Sequence, residues 1–307
     1  MNPRAVFRVL AFILVIVGVA MAPPLAVAAA LHSRDLIPLA ISCAVPLLLG
    51  LTGLFATRGK VDLKLKDGFA IVTFGWLAAA VFGALPYLLV GAAGPVDAFF
   101  ESMSGFTTTG STIFSDIESL PPGILLWRSL TQWMGGMGIV VLSVAVLPLL
   151  GVGGMQLYKA EVPGPTADRL SPRIESAAKT LWGVYLSLTA AQIAFLMAGG
   201  MGLFDAVNHA FCTVSTGGFS TRNASVGAFD SWYLEVVIIV FMFLAGVNFS
   251  LHLWIPRRQL PNYWRSEEFR LYATITGLVT LTIWLGLVAL GHDPLLAIRD
   301  SAFQVVS

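Results

Sequence analysis

Residues 100–110 read Phe100-Glu101-Ser102-Met103-Ser104-Gly105-Phe106-Thr107-Thr108-Thr109-Gly110, and residues 209–219 read His209-Ala210-Phe211-Cys212-Thr213-Val214-Ser215-Thr216-Gly217-Gly218-Phe219. Both are apolar stretches that run at once into hydroxyl side chains and glycine, and both lie between long apolar runs. The pattern predicts a short helix over 97–106 and another over 205–213. Each then gives way to a non-helical loop, with Thr109-Gly110 and Thr216-Gly217 in matching places. A third copy begins over 293–306, where Ser301-Ala302-Phe303-Gln304-Val305-Val306-Ser307 lines up with His209 to Ser215 and stops before a third loop.

The surroundings of these segments are those of a membrane protein. Of 307 residues 57% are hydrophobic and 11% charged, whereas an ordinary soluble domain carries about 25% charged residues. Seven runs hold no Asp, Glu, Lys or Arg: 9–31, 36–57, 68–96, 129–158, 180–204, 236–256 and 271–292. Each reaches the length of about 20 residues that a helix needs to cross a bilayer. The N-terminal run is too long for a secretory leader, whose apolar part spans about 7 to 15 residues, so it reads as a retained first helix kinked at Pro23-Pro24. A net charge of +1 leaves no basic field for nucleic acid, which is excluded as a partner. Cys43 and Cys212 stand far apart in apolar surroundings and read as two buried thiols.

Charge placement orients the chain. Arg4 and Arg8, Arg58 to Lys66, Lys159 to Lys179 and Arg257 to Arg270 hold 14 of the 18 basic residues, and only Arg34, Arg128, Arg222 and Arg299 fall on the intervening connections. This asymmetry predicts a cytoplasmic N-terminus. It also requires residues 98–114 and the matching second segment to enter and return on one side. Non-helical backbone at membrane depth is tolerated only where protein buries it or it lines a watery cavity, so such a segment points to a permeation path.

The expected fold class is therefore all-α: a polytopic membrane protein of helix–pore loop–helix repeats resembling potassium-channel subunits. Two extra helices occupy 1–67, the first repeat 68–158, the second 159–256, and 257–307 hold a third repeat that stops before its filter loop. A dehydrated monovalent cation has to be offered oxygens in place of water, and stacked backbone carbonyls with a Thr or Ser hydroxyl supply them. The residues expected to bind the cation are Thr108, Thr109, Gly110, Ser215, Thr216 and Gly217, the glycines supplying positive φ. Short helices ending at mid-membrane aim their negative dipole ends at the cavity, so no acidic ring is needed.

On these motifs, together with Gln132-Trp133-Met134-Gly135-Gly136-Met137-Gly138, the sequence resembles the membrane subunits of Trk-type potassium uptake systems, the superfamily of TrkH, KtrB and HKT proteins. The resemblance implies four repeats in one polypeptide, of which this sequence matches the first part. It implies a bacterial inner-membrane location, a homodimer embedded in lipid and a cytosolic TrkA-type nucleotide-binding regulatory subunit. In that family a glycine at the filter position goes with potassium preference and a serine in the first filter with sodium, so Gly110 and Gly217 imply potassium as the transported ion. A ring of coordination takes four loops, and the 307-residue chain alone is expected not to transport.

Other residues have plainer readings. Glu101 is costly in an apolar run and calls for a partner or an ion role. His209 reads as a hydrogen-bonded packing residue, and Gly135, Gly136 and Gly138, with no following P-loop lysine, read as close helix packing. Arg128 and Arg222 are expected to pair with Asp116, Glu118 or Asp230. A cation-coupled secondary symporter is the alternative, suggested by Pro148, Gly151, Gly153 and Gly154 as a helix break. An intramembrane hydrolase has Ser102, Ser104 and His209 to draw on but no GxSxG, HExxH or aspartate pair, so no enzyme is expected.

Overall fold

The computed structural model describes residues 2–58, 65–146, 170–252 and 264–307. Among them every regular element is helical. The break suggested by Pro148, Gly151, Gly153 and Gly154 lies outside the described residues, as do Lys159, Arg169, Arg257 and Arg258.

The chain opens with α1 (Pro3–Ala20), with Asn2 capping its first turn, and α2 (Ala22–Ala30). The break between them falls at Met21, ahead of Pro23 and Pro24. A proline clashes with the carbonyl four residues before it, so the kink appears upstream of the prolines that cause it. Helix α3 (Leu36–Ala56) returns against α1 at close range. A side-chain carbon added at Gly50 would sit 2.6 Å from the Ala11 carbonyl oxygen, and one at Gly53 2.8 Å from Ala11 Cβ. Lipid offers no hydrophobic drive for helix association, and such bare backbone faces let dispersion hold the pair.

The turn between α2 and α3 ties this pair to the first repeat. Buried Asp35 accepts the Ile124 N–H at 3.1 Å through Oδ2, and Arg34 donates to the Ser119 carbonyl at 3.2 Å. Ile124 lies in the first turn of α7 (Pro122–Val146), whose leading N–H groups have no partner within the helix, so a distant carboxylate caps it.

Two repeats come after the initial pair. The first comprises α4 (Leu65–Gly83), a short α5 (Leu85–Leu89), α6 (Pro95–Phe106) and α7. The second comprises α8 (Leu170–Ala198), α9 (Leu203–Val214), a 3₁₀ turn (Ser225–Phe229) and α10 (Trp232–Gly246). After a short α11 (Phe249–His252) come α12 (Glu267–Ala289) and α13 (Pro294–Val306). Both α6 and α9 have 12 residues, so each is about 18 Å long against a hydrocarbon core of about 30 Å, and neither crosses.

Among the described residues, five segments are long and apolar enough to span a bilayer: Pro3–Ala30, Leu36–Ala56, Asp67–Leu89, Lys179–Ala198 and Glu267–Ala289. Their outer faces carry bare apolar side chains such as Ile37, Phe55, Leu271 and Leu278. In water these would be an aggregation hazard; in a multi-pass membrane protein such faces are covered by lipid or by further helices.

The α1–α3 contact gives a direct test. Gly50→Val overpacks backbone against backbone and is expected to cost about 1–3 kcal/mol, lowering the melting temperature of the detergent-solubilised protein. Gly277→Ala, with nothing within 4 Å of the added carbon, is expected to leave it unchanged.

Candidate functional site

The two short helices end alike. After Phe106 the chain turns through Thr107, with Thr108 N–H bonding to the Gly105 carbonyl at 3.0 Å and Thr109 N–H to Ser104 at 3.0 Å. After Val214 it turns through Ser215, with Thr216 N–H bonding to Thr213 at 3.0 Å and Gly217 N–H to Cys212 at 2.8 Å. Thr108 and Thr216 both sit at φ 56°, and the next left-handed residues are Gly110 at 78° and Gly218 at 89°.

These positions correct the alignment drawn from sequence. Thr109 matches Gly217, and Gly110 matches Gly218, one residue further along than the shared Thr-Gly dipeptide suggests. The register is set by where each helix ends and where a left-handed residue is required; Gly217 is not left-handed, and Gly218 is the one that matches Gly110.

The loops meet backbone to backbone. A side-chain carbon on Gly110 would overlap the Gly217 carbonyl oxygen, and one on Gly217 would overlap the side chain of Gln132. Gln132, on α7, accepts the Phe219 N–H at 3.1 Å, while its Nε2 is buried with no protein partner. Gly135 and Gly136 let α7 approach both turns: a side-chain carbon added at the first would overlap the Phe106 carbonyl, and one added at the second would lie 2.9 Å from Ser215 Cα. Close packing is thus what those glycines do. A cavity of about 310 Å³ opens beside the second loop, lined among others by Thr109, Thr216, Gly217, Gly218, Phe303 and Ser307. The C-terminal end of α9 therefore faces it, and carbonyl dipoles at a helix C-terminus favour a cation.

Behind the loops lies a buried charge pair. Arg128 Nε donates to Glu101 Oε1 at 2.8 Å, and both side chains are almost wholly shielded from solvent. The Glu101 carboxylate also accepts the Thr112 hydroxyl at 2.9 Å and the Ile113 N–H at 3.0 Å. The remaining arms of Arg128 reach the Ser220 carbonyl and the Thr112 hydroxyl, both at 3.1 Å, and its guanidinium lies 4.2 Å from the centre of the Phe219 ring.

The two arginines have partners other than those expected. Arg128 pairs with Glu101, and Arg222 with Asp205 at 2.7 Å. Asp116 and Glu118 instead hold Asn223, through Nδ2 at 3.0 Å and the backbone N–H at 3.3 Å. Arg128 sits two turns inside α7, too deep for an acid at the surface to reach. A lone acid and a lone base in separate apolar stretches are the signal for their pairing. His209 packs as expected, with Nδ1 2.8 Å from the Asp205 carbonyl and Nε2 3.0 Å from Ser220 Oγ, away from Ser102 and Ser104. Among the described residues no group of three or more His, Cys, Asp or Glu could hold a metal ion.

Spanning helices that enclose short re-entrant helices and converging loops define a polytopic membrane protein of the pore-loop class. Residues 40–291 match the TrkH family, described as cation transport protein, and the chain belongs to that family. It is 41% identical over 320 residues to the Trk system potassium uptake protein TrkH of Halomonas elongata, covering all of this chain and 65% of that protein. It is 45% identical over 258 residues to TrkH of Escherichia coli K12, covering 81% of this chain and 53% of that one. The crystal structure of the potassium transporter TrkH from Vibrio parahaemolyticus superposes with a TM-score of 0.90 at 37% identity, over all of this chain and 64% of that one. The chain thus spans somewhat less than two thirds of the relatives it matches.

Glu101→Gln leaves Arg128 buried and uncompensated, and is expected to cost about 3–5 kcal/mol. Asp205→Asn, whose partner Arg222 is 42% exposed, is expected to cost less than about 1 kcal/mol. Thermal unfolding of the two purified variants in detergent checks the ordering.

Proposed function

We propose that this chain supplies filter loops to a potassium uptake pore of a bacterial inner membrane, with its N-terminus in the cytoplasm. The observation that carries this reading is the backbone-to-backbone meeting of two loops of matched conformation, beside a cavity that the C-terminus of α9 faces. Potassium is the ion named for the relatives above. The carbonyls of Thr108, Thr109 and Gly110 and of Thr216, Gly217 and Gly218 stand in for its water, with the hydroxyls of the threonines and of Ser215 beside them. This moves the second set one residue on from the sequence expectation, following the left-handed glycine.

The site works by substitution. A cation sheds water only if oxygens of similar number and spacing replace it, and a rigid set does so for one ion size. Two loops supply oxygens from part of the circumference, so uptake is proposed for the protein that carries these repeats. The segments 68–158 and 159–256 act as one helix–pore–helix unit each, after the initial pair 1–67, with 257–307 beginning a third. A homodimer and a cytosolic TrkA-type nucleotide-binding subunit, docked on the basic inner loops, complete the proposed assembly.

Uptake of potassium into a transport-deficient host tests the site. Gly218→Ala puts a side chain where φ is 89°, which costs about 1–2 kcal/mol and is expected to reduce uptake about tenfold. Cys212→Ala is expected to keep most of it; equal uptake by the two variants would take Gly218 out of the filter. For topology, cysteines placed at 33 and 292 are expected to react with an impermeant reagent added outside, and cysteines at 58 and 265 to stay unlabelled.

A further inference from the structure

Glu101 and His209 hold the same place, each the seventh residue of its 12-residue helix. Each reaches a hydroxyl 11 residues on: the Thr112 hydroxyl donates to Glu101 at 2.9 Å, and Ser220 Oγ lies 3.0 Å from His209 Nε2. Each hydroxyl then accepts the backbone N–H two residues further along, from Phe114 at 3.2 Å and from Arg222 at 3.0 Å. The two loops are thus braced from behind by the same construction, with different chemistry.

The first brace is charged, and its counter-charge does not stay in its own repeat. Arg128 bonds to Glu101 and Thr112 on the side of the first loop and to the Ser220 carbonyl on the side of the second, with its guanidinium over Phe219. One buried side chain therefore holds the outer ends of both loops. A planar fork with five donors spans three such acceptors; a lysine ammonium is a single point. Glu101 neutralises the guanidinium, so the brace adds stiffness without a net positive charge behind a cation path. A buried ion pair is also a poor device for stability alone, because apolar side chains of equal volume often hold helices as well.

We propose that Arg128 is a positioning residue: with Glu101 and Thr112 it fixes the spacing between the two loops, and through that spacing the size of ion they accept. This rests on the pore reading above. The intact protein carrying this chain is expressed in a potassium-uptake-deficient host, its amount in membranes is quantified, and uptake of potassium and sodium is measured.

Thr112→Val removes one hydroxyl at an exposed position while leaving the Arg128–Glu101 pair in place. The loss of a hydrogen bond to a charged group is expected to lower the potassium-to-sodium ratio about fivefold to tenfold and to raise KM for potassium, at unchanged membrane abundance. Thr112→Ser is expected to restore both. Arg128→Lys is expected to shift the ratio by at least as much, and if that variant does not accumulate, the threonine pair decides alone. Wild-type ratio and KM in Thr112→Val would overturn the proposal, as would a serine variant that behaves like the valine one. Absence of selective uptake by the unaltered protein would instead remove the pore reading, and this inference with it.

Discussion

A backbone that enters a membrane and turns back has to satisfy its own polar groups, because hydrocarbon offers none. Much of this structure depends on that constraint. The two return loops cannot use a helical ladder, and side chains from neighbouring elements take over. Glu101 accepts the Ile113 N–H, Gln132 accepts that of Phe219, Ser104 donates to the Ser111 carbonyl at 2.6 Å, and Arg128 donates to that of Ser220. The polar residues that look misplaced in an apolar sequence are therefore the ones that make a non-helical chain possible there.

Charge is handled with the same economy. The four arginines outside the basic clusters all have partners: Arg34 the Ser119 carbonyl, Arg128 Glu101, Arg222 Asp205, and Arg299 both Glu235 at 3.1 Å and Asp300 at 2.8 Å. Arg299 stands on α13 and Glu235 on α10, so this pair joins the third short helix to the second repeat. Asn223, meanwhile, clasps the connection between α6 and α7 through Asp116 and Glu118. The repeats are thus stitched together by polar bonds at the ends away from the basic clusters, while small residues join them at depth.

Much of this is legible in the sequence. Apolar runs mark the spanning helices, and a run too short to cross, leading into Thr and Gly, marks the return loops, because length and hydropathy are local properties. The break before Pro23 is legible for the same reason. Pairings across the fold are not. Nothing local says that Arg128 reaches back 27 positions to Glu101 and on by 92 to Ser220, or that Gln132 fills the space beside Gly217. The register of the second loop escapes the sequence because two glycines adjoin there, and only the backbone reveals which one carries the positive φ. His209 and the glycines at 135 and 136 do what the sequence suggests, since packing is the simplest use of each.

The bond from Ile124 to Asp35 joins residues 89 apart in the chain. It makes the opening helices part of the scaffold that seats the first return loop. Those helices precede α7 in the chain, so a vectorially synthesised protein has the acidic group of the turn between α2 and α3 before the helix end that it caps. A protein assembled in this order sets its first loop against a wall already standing, and a truncation that spared every loop residue but removed the opening helices would still take that wall away.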